Sequence, residues 1–223
     1  EITTRLVGSE MCIRDSFASN GFTVFLFDAL RPTPELSFAI RELKCQSGVV
    51  ITASHNPKEY NGYKAYWSDG SQVTAPHDKN IIDEVEKITE VDQVLTGRNP
   101  QNIRALGKDF DELYLNKIYE LSLSPESVKR FHDMKIVYTP LHGAGRVLIP
   151  QSLKYWGFDN VHCVAEQMVK DGNFPTVDRP NPEFAEALTL GLRDAKQLDA
   201  DILMASDPDA DRVGMACKND KGE

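Results

Sequence analysis

The chain has 223 residues, 41% of them hydrophobic, and a formal net charge of −9 at pH 7. That length allows one or two domains with a substantial core, and the apolar content excludes a disordered chain. The acidic balance disfavours nucleic acid and anionic membranes as partners, because both are held by basic patches; an anionic small molecule held through a bound cation stays open.

Cys12, Cys45, Cys163 and Cys217 are widely spaced and form no C-x-x-C pair. They read as reduced thiols of a cytoplasmic protein. No apolar run reaches the roughly 18 residues of a bilayer span, and no apolar h-region marks a signal peptide.

Residues 1–16, EITTRLVGSEMCIRDS, show neither a period of 2 nor one of 3.6. They read as a leader foreign to the fold, or else an irregular terminus, and are set aside from it. Phe22–Phe27 is an apolar, β-branched and aromatic run, predicted as a buried strand. Arg31-Pro32-Thr33-Pro34 is a loop, and Pro34 opens a helix with Leu36, Phe38, Ala39 and Leu43 as its apolar positions. Gly48–Thr52 is a second buried strand. The order strand, helix, strand predicts a βαβ unit with parallel strands.

Tyr63–Trp67 and Gln72–Thr74 flank Ser68-Asp69-Gly70, the pattern of a hairpin turn. Asp78 is a candidate cap for a helix to about Ile88, striped by Ile81, Ile82, Val85 and Ile88. Residues 91–108 are loop-rich, and a helix over 110–121 follows with Asp109 as its candidate cap.

A fresh βα unit begins with a strand over Lys135–Tyr138. The loop Gly143-Ala144-Gly145 leads to a helix over 147–155 that ends at Gly157. Pro150 fits that helix only in its first turn. Val161–Val164 is a strand. Asn181-Pro182-Glu183 starts a helix carrying Phe184, Ala187, Leu188 and Leu192. Ala200–Ala205 is a buried strand running into Asp207-Pro208-Asp209-Ala210-Asp211-Arg212. The pattern predicts two successive α/β domains with mixed, mainly parallel sheets, residues 17–125 and 126–223.

Two motifs carry chemistry. In D-P-D-A-D-R three carboxylates alternate, and Pro208 biases the segment away from helix. In an extended segment alternate side chains share one face, so Asp207, Asp209 and Asp211 can converge. Hard oxygen donors after a strand end suit Mg²⁺. A solvated acidic turn is the plainer alternative. An EF-hand is excluded, since Arg212 and Lys218 stand where that loop needs Gly and Glu. Asp209-Ala210-Asp211-Arg212-Val213 also fits the D-x-D-x-[TV] of haloacid-dehalogenase-type phosphatases, with Asp209 as nucleophile.

The second motif, Thr52-Ala53-Ser54-His55-Asn56-Pro57, also follows a strand. A serine there is placed to carry a phosphoryl group, whose oxygens would join a nearby metal; an ordinary turn is the plainer reading. His55 and Lys64 are candidate proton handlers. The loop Thr139-Pro140-Leu141-His142-Gly143-Ala144-Gly145 precedes a helix and reads as a tight structural turn rather than an anion site. It lacks the third Gly of a dinucleotide fingerprint.

The T-A-S-H-N-P and D-P-D-A-D-R motifs, in this order and each after a strand, resemble the α-D-phosphohexomutase superfamily. Residues 51–78, ITASHNPKEYNGYKAYWSDGSQVTAPHD, are similar to the phosphoglucomutase-2 and phosphopentomutase branch. The resemblance implies Ser54 as phosphoryl carrier and metal ligand, and Asp207, Asp209 and Asp211 as further Mg²⁺ ligands. It implies Arg212 and Asn56 in phosphate or substrate binding, and His55 and Lys64 in proton transfer. The implied reaction interconverts sugar 1- and 6-phosphates, most simply of glucose, through a sugar 1,6-bisphosphate. Mannose and pentose phosphates are alternatives. The superfamily's third and fourth domains have no counterpart in these residues, so the resemblance also implies an incomplete chain that is inactive alone.

Overall fold

The computed structural model describes residues 2–97 and 99–222. The chain divides into two compact units. One takes the chain up to Leu30, Leu36–Ile51 and Tyr63–Asp109. The other takes Arg31–Glu35, Thr52–Gly62 and everything from Phe110 onward. Two short early segments therefore belong with the later half.

In the first unit, α1 (Ile2–Ser19) is a helix where the sequence pattern predicted no regular element. Ala18 is its buried residue among the described side chains, which explains why no amphipathic period was visible. Strand β1 (Val24–Phe27) is only half-buried, and Phe22, expected in it, is exposed. Helix α2 (Thr33–Glu42) buries Ala39 and Ile40. Strands β2 (Ser47–Ile51) and β3 (Tyr63–Trp67) follow.

The expected parallel βαβ pairing is not formed. β2 pairs antiparallel with β3, from Ser47↔Trp67 to Ile51↔Tyr63. β1 pairs in parallel with β4 (Ile103–Leu106). Alternation of apolar residues marks a strand but not which neighbour meets its edge. The turn after β3 stands as expected: Gly70 has φ +81°, and Tyr66 bridges Gln72.

Helix α3 (His77–Val85) starts after Pro76, so Asp78 lies in its first turn and is not its cap. None of its residues is buried. Ile81 and Val85, with Ile88 beyond the helix, line an open groove with Trp67.

Helix α4 (Lys108–Tyr119), which enters the second unit at Phe110, includes Asp109, the expected cap, as a helical residue. Helix α5 (Pro125–Arg130) was not foreseen. Four strands form one sheet in the order β6-β5-β7-β8: β5 (Ile136–Thr139), β6 (Val161–Cys163), β7 (Ile202–Ser206) and β8 (Val213–Cys217). β5 pairs in parallel with β6 and β7, and β8 returns antiparallel on β7.

Helix α6 (Gly145–Trp156) ends at Gly157, which has φ +105°. Pro150 lies inside this helix, not in its first turn, so the bond to the Arg146 carbonyl is forgone. The Asn181 segment does not open the helix directly. Asn181 Oδ1 accepts the Glu183 N–H at 3.0 Å in a local turn, a 3₁₀ turn over Ala185–Leu188 follows, and α7 is Thr189–Leu198. Val137, Val164, Leu188, Ala200, Leu203 and Ala205 form the core of the sheet. That core holds the end of β7, where the acidic loop begins.

Candidate functional site

Within the second unit, the loops after β2 and β7 meet. Thr52 N–H donates to Gly62 O at 3.0 Å and closes the first loop at its base. Gly62 is required there: a Cβ would stand 2.3 Å from the Thr52 carbonyl oxygen. The Thr52 hydroxyl accepts the Ser54 N–H at 2.8 Å and donates to Asp209 Oδ2 at 3.3 Å. Ser54 itself has φ +53°, a left-handed geometry that costs a non-glycine residue about 1 kcal/mol or more.

Ser54 Oγ donates to Asp207 Oδ2 at 3.0 Å. His55 Nδ1 lies 3.2 Å from the same Oγ. A serine hydroxyl has one proton, so with that proton on Asp207 the His55 tautomer that fits carries its proton on Nδ1 and donates it.

Asp207 is fully buried and Asp209 nearly so, whereas Asp211 is exposed. Oxygens of all three lie within 4.8 Å of one another. They converge by a turn, not by the extended geometry predicted. The Asp207 carbonyl accepts the Ala210 N–H at 3.0 Å, and Ala210 is left-handed at φ +56°. Asp207 Oδ1 accepts the N–H groups of Asp211 and Arg212 at 3.1 and 3.0 Å.

Burial, then the negative Asp209 beside it, push the Asp207 carboxyl up to about 7, against the Arg212 N–H that favours its ionised form. Three carboxylates this close repel one another, and a divalent cation would reverse the sign of that interaction. The donor set of three carboxylates and a serine oxygen fits Mg²⁺, which prefers hard oxygen ligands and retains positions for water or phosphate.

Other backbone fixes the acidic loop. Ala144 N–H donates to the Pro208 carbonyl at 2.7 Å, and Thr33 N–H donates to the Asp209 carbonyl at 2.8 Å. Gly143 packs on Pro208 so closely that a Cβ would lie 2.3 Å from its Cα. The 139–145 loop is the expected structural turn. Thr139 Oγ1 donates to Gln167 Oε1 at 2.6 Å, and both His142 ring nitrogens are hydrogen-bonded, to Val169 O and Thr176 Oγ1 at 2.8 Å each.

Ser54, His55, Asp207, Asp209 and Asp211 are thus brought together. Asn56 is exposed in the same loop, its N–H donating to Ala53 O at 3.1 Å. Arg212 contributes its backbone, while its guanidinium pairs with Glu183 at 2.8 Å. Lys64 stands on β3 opposite Val50, in the first unit. Sequence reasoning missed Thr52, Thr33 and the Gly143–Pro208 contact. Thr52 had a signal, since a threonine two residues before the serine can accept its N–H.

The chain belongs to the phosphoglucomutase/phosphomannomutase family. The family's alpha/beta/alpha domain I matches residues 10–92, and its alpha/beta/alpha domain II matches residues 112–222. The first match begins inside the stretch set aside above.

A phosphoglucomutase of Staphylococcus haemolyticus (strain JCSC1435) is 38% identical over 219 residues, covering 95% of this chain and 38% of that protein. A Homo sapiens phosphopentomutase is 36% identical over 219 residues, covering 93% of this chain and 35% of that protein. The chain thus spans well under half the length of these relatives. Among solved structures, a Thermus thermophilus protein assigned as a phosphomannomutase superposes with a TM-score of 0.73 at 25% identity, covering 93% of this chain and 44% of the other.

Proposed function

We propose that this chain supplies the phosphoryl-carrying and metal-binding part of a phosphosugar mutase, with Ser54 as the carrier. The observation that carries this reading is the Ser54 Oγ to Asp207 Oδ2 bond of 3.0 Å, beside three carboxylates that fit a divalent cation. Phosphorylated Ser54 gives its phosphoryl group to a hydroxyl of a sugar monophosphate. The Oγ–P bond breaks, a new sugar O–P bond forms, and the proton lost by the sugar hydroxyl is matched by one delivered to Ser54 Oγ as it leaves. The resulting bisphosphate turns round, and its other phosphate returns to Ser54.

Asp207, Asp209, Asp211 and a serine-phosphate oxygen would hold Mg²⁺, which would supply charge neutralisation for the transferring group. Among the chain's own residues, Thr52 orients Ser54. Asp207 and His55 both lie within hydrogen-bond reach of Oγ, and His55, with its Nδ1 proton directed at Oγ, can deliver a proton there. Arg212 and Asn56 are assigned to the phosphate side, and Lys64 to proton transfer, on resemblance alone. Glucose phosphate is the substrate favoured, with mannose and pentose phosphates as the alternatives.

No helix among the described residues is long and apolar enough to cross a membrane. All four cysteines are free thiols, which supports the cytoplasmic assignment.

The test is phosphate uptake. The purified chain is incubated with Mg²⁺ and glucose, mannose or ribose bisphosphate, offered separately, and peptides are mapped by mass spectrometry. Phosphate on Ser54 is expected. Phosphate elsewhere, or equal uptake by Ser54→Ala, would refute the carrier assignment.

A further inference from the structure

Arg31, Glu35 and Asp111 form a buried charged cluster that the proposed reaction does not use. The Arg31 guanidinium grips Asp111 with two bonds, Nε to Oδ1 at 2.6 Å and Nη2 to Oδ2 at 2.9 Å. Both side chains are about nine-tenths buried. Glu35 is wholly buried, 3.9 Å from Arg31 Nε and beside the Asp111 carboxyl, to which a protonated Glu35 can donate. The Arg31 guanidinium thus faces both carboxyls. Burial, and then the neighbouring Asp111, push Glu35 up to about 8, so at neutral pH it can hold a proton.

Arg31 and Glu35 bracket Thr33, whose N–H donates to the Asp209 carbonyl. Directly after that carbonyl the chain turns through left-handed Ala210. A strained turn persists only where its surroundings over-determine it. We infer that Arg31 is a positioning residue for the acidic loop: its two-pronged grip on Asp111 fixes the segment 31–35, and the Thr33–Asp209 bond passes that placement to the Asp209 carboxylate. This deepens the proposed function and rests on its metal site. Lysine cannot replace the fork, because a single ammonium lacks the paired donors that match a carboxylate.

The test measures Mn²⁺ binding, as an oxygen-preferring substitute for Mg²⁺, by calorimetry on the full chain. The set is wild type, Asp209→Asn, Arg31→Lys and Leu153→Ala, the last a core truncation in α6 that lowers stability without touching the cluster. Outer partners of metal ligands typically hold about 10–100-fold in affinity, so Arg31→Lys is expected to weaken binding by about that factor. Leu153→Ala should leave it unchanged. If Arg31→Lys does not fold, Asp111→Asn takes its place with the same expectation.

Wild type that binds, Asp209→Asn that does not, and Arg31→Lys that binds like wild type would overturn this inference alone. Equal weakening in Arg31→Lys and Leu153→Ala would also overturn it, as a general effect of lost stability. No binding by wild type, or equal binding by Asp209→Asn, would overturn the metal site and this inference with it.

Discussion

Replacing Gly143 by alanine should destabilise the second unit because of one backbone contact. The new Cβ would stand 2.3 Å from Pro208 Cα and 2.5 Å from its carbonyl oxygen. Neither atom belongs to a flexible side chain, so the main chain of one loop must move. Overpacking of this kind costs about 1–3 kcal/mol. Moving the loops apart also strains the 2.7 Å bond from Ala144 N–H to Pro208 O, worth about 1 kcal/mol. The sum is about 2–4 kcal/mol. With a urea slope of about 2 kcal/mol/M, the midpoint should fall by about 1–2 M.

The chain has two tryptophans, and Trp156 lies in α6 of the second unit. A Trp67→Phe background therefore makes fluorescence report on that unit. Gly172→Ala is the control, since a Cβ there meets nothing within 4 Å; its midpoint should move by less than about 0.5 kcal/mol equivalent. An unchanged midpoint in Gly143→Ala would show that the 139–145 loop does not brace the acidic loop.

Three further outcomes are expected. Ser54→Ala should take up no phosphate from a sugar bisphosphate while keeping its circular dichroism spectrum, since no other hydroxyl is proposed as carrier. Thr139→Val should cost about 1–3 kcal/mol in urea unfolding, because it leaves buried Gln167 Oε1 and the Leu141 N–H without the hydroxyl they now share. Glu35→Gln should flatten the pH dependence of stability. Glu35 is raised from an ordinary 4.5 to about 8 in the fold, so its contribution is fully present below about pH 4.5 and is lost as pH rises towards 8. Thermal midpoints of wild type across pH 5–8 should therefore decline more steeply than those of Glu35→Gln, and parallel curves would contradict the assignment.

The chemical residues were more legible than the frame that holds them. D-P-D-A-D-R and T-A-S-H-N-P announced themselves by composition and by their places after apolar runs, and Ser54 does meet Asp207. The geometric reason offered for the carboxylates was wrong: they converge through a turn at Ala210 rather than along an extended face. Strand pairing was not legible, because the patterns of β1 and β2 are equally compatible with neighbours on either edge. β8 was hidden because its larger apolar residues, Val213 and Met215, are exposed while the half-buried positions are Gly214 and Ala216. Glu35 could not be foreseen as buried, since its partners, Arg31 and Asp111, are joined only by the fold. The aspartyl-phosphatase reading of Asp209 loses its support, because family membership accounts for both loops.

The bond from Ser54 to Asp207 spans 153 positions of the chain. During synthesis at about 5–20 residues per second, that separation amounts to roughly 8–30 s. Throughout that interval the Ser54 loop exists without the carboxylate that receives its hydroxyl proton, and the segment 31–35 without the carbonyl that Thr33 meets. The nascent second unit therefore has to wait for β7 before it can close on elements made long before, whereas β2 and β3 can pair as soon as they emerge. Closing so long a loop is slow but adds little to the equilibrium cost, since each doubling of length adds only about 0.6 kcal/mol. The site cannot be assembled before β7 and its acidic loop are made, and its formation reports that synthesis has passed Asp211.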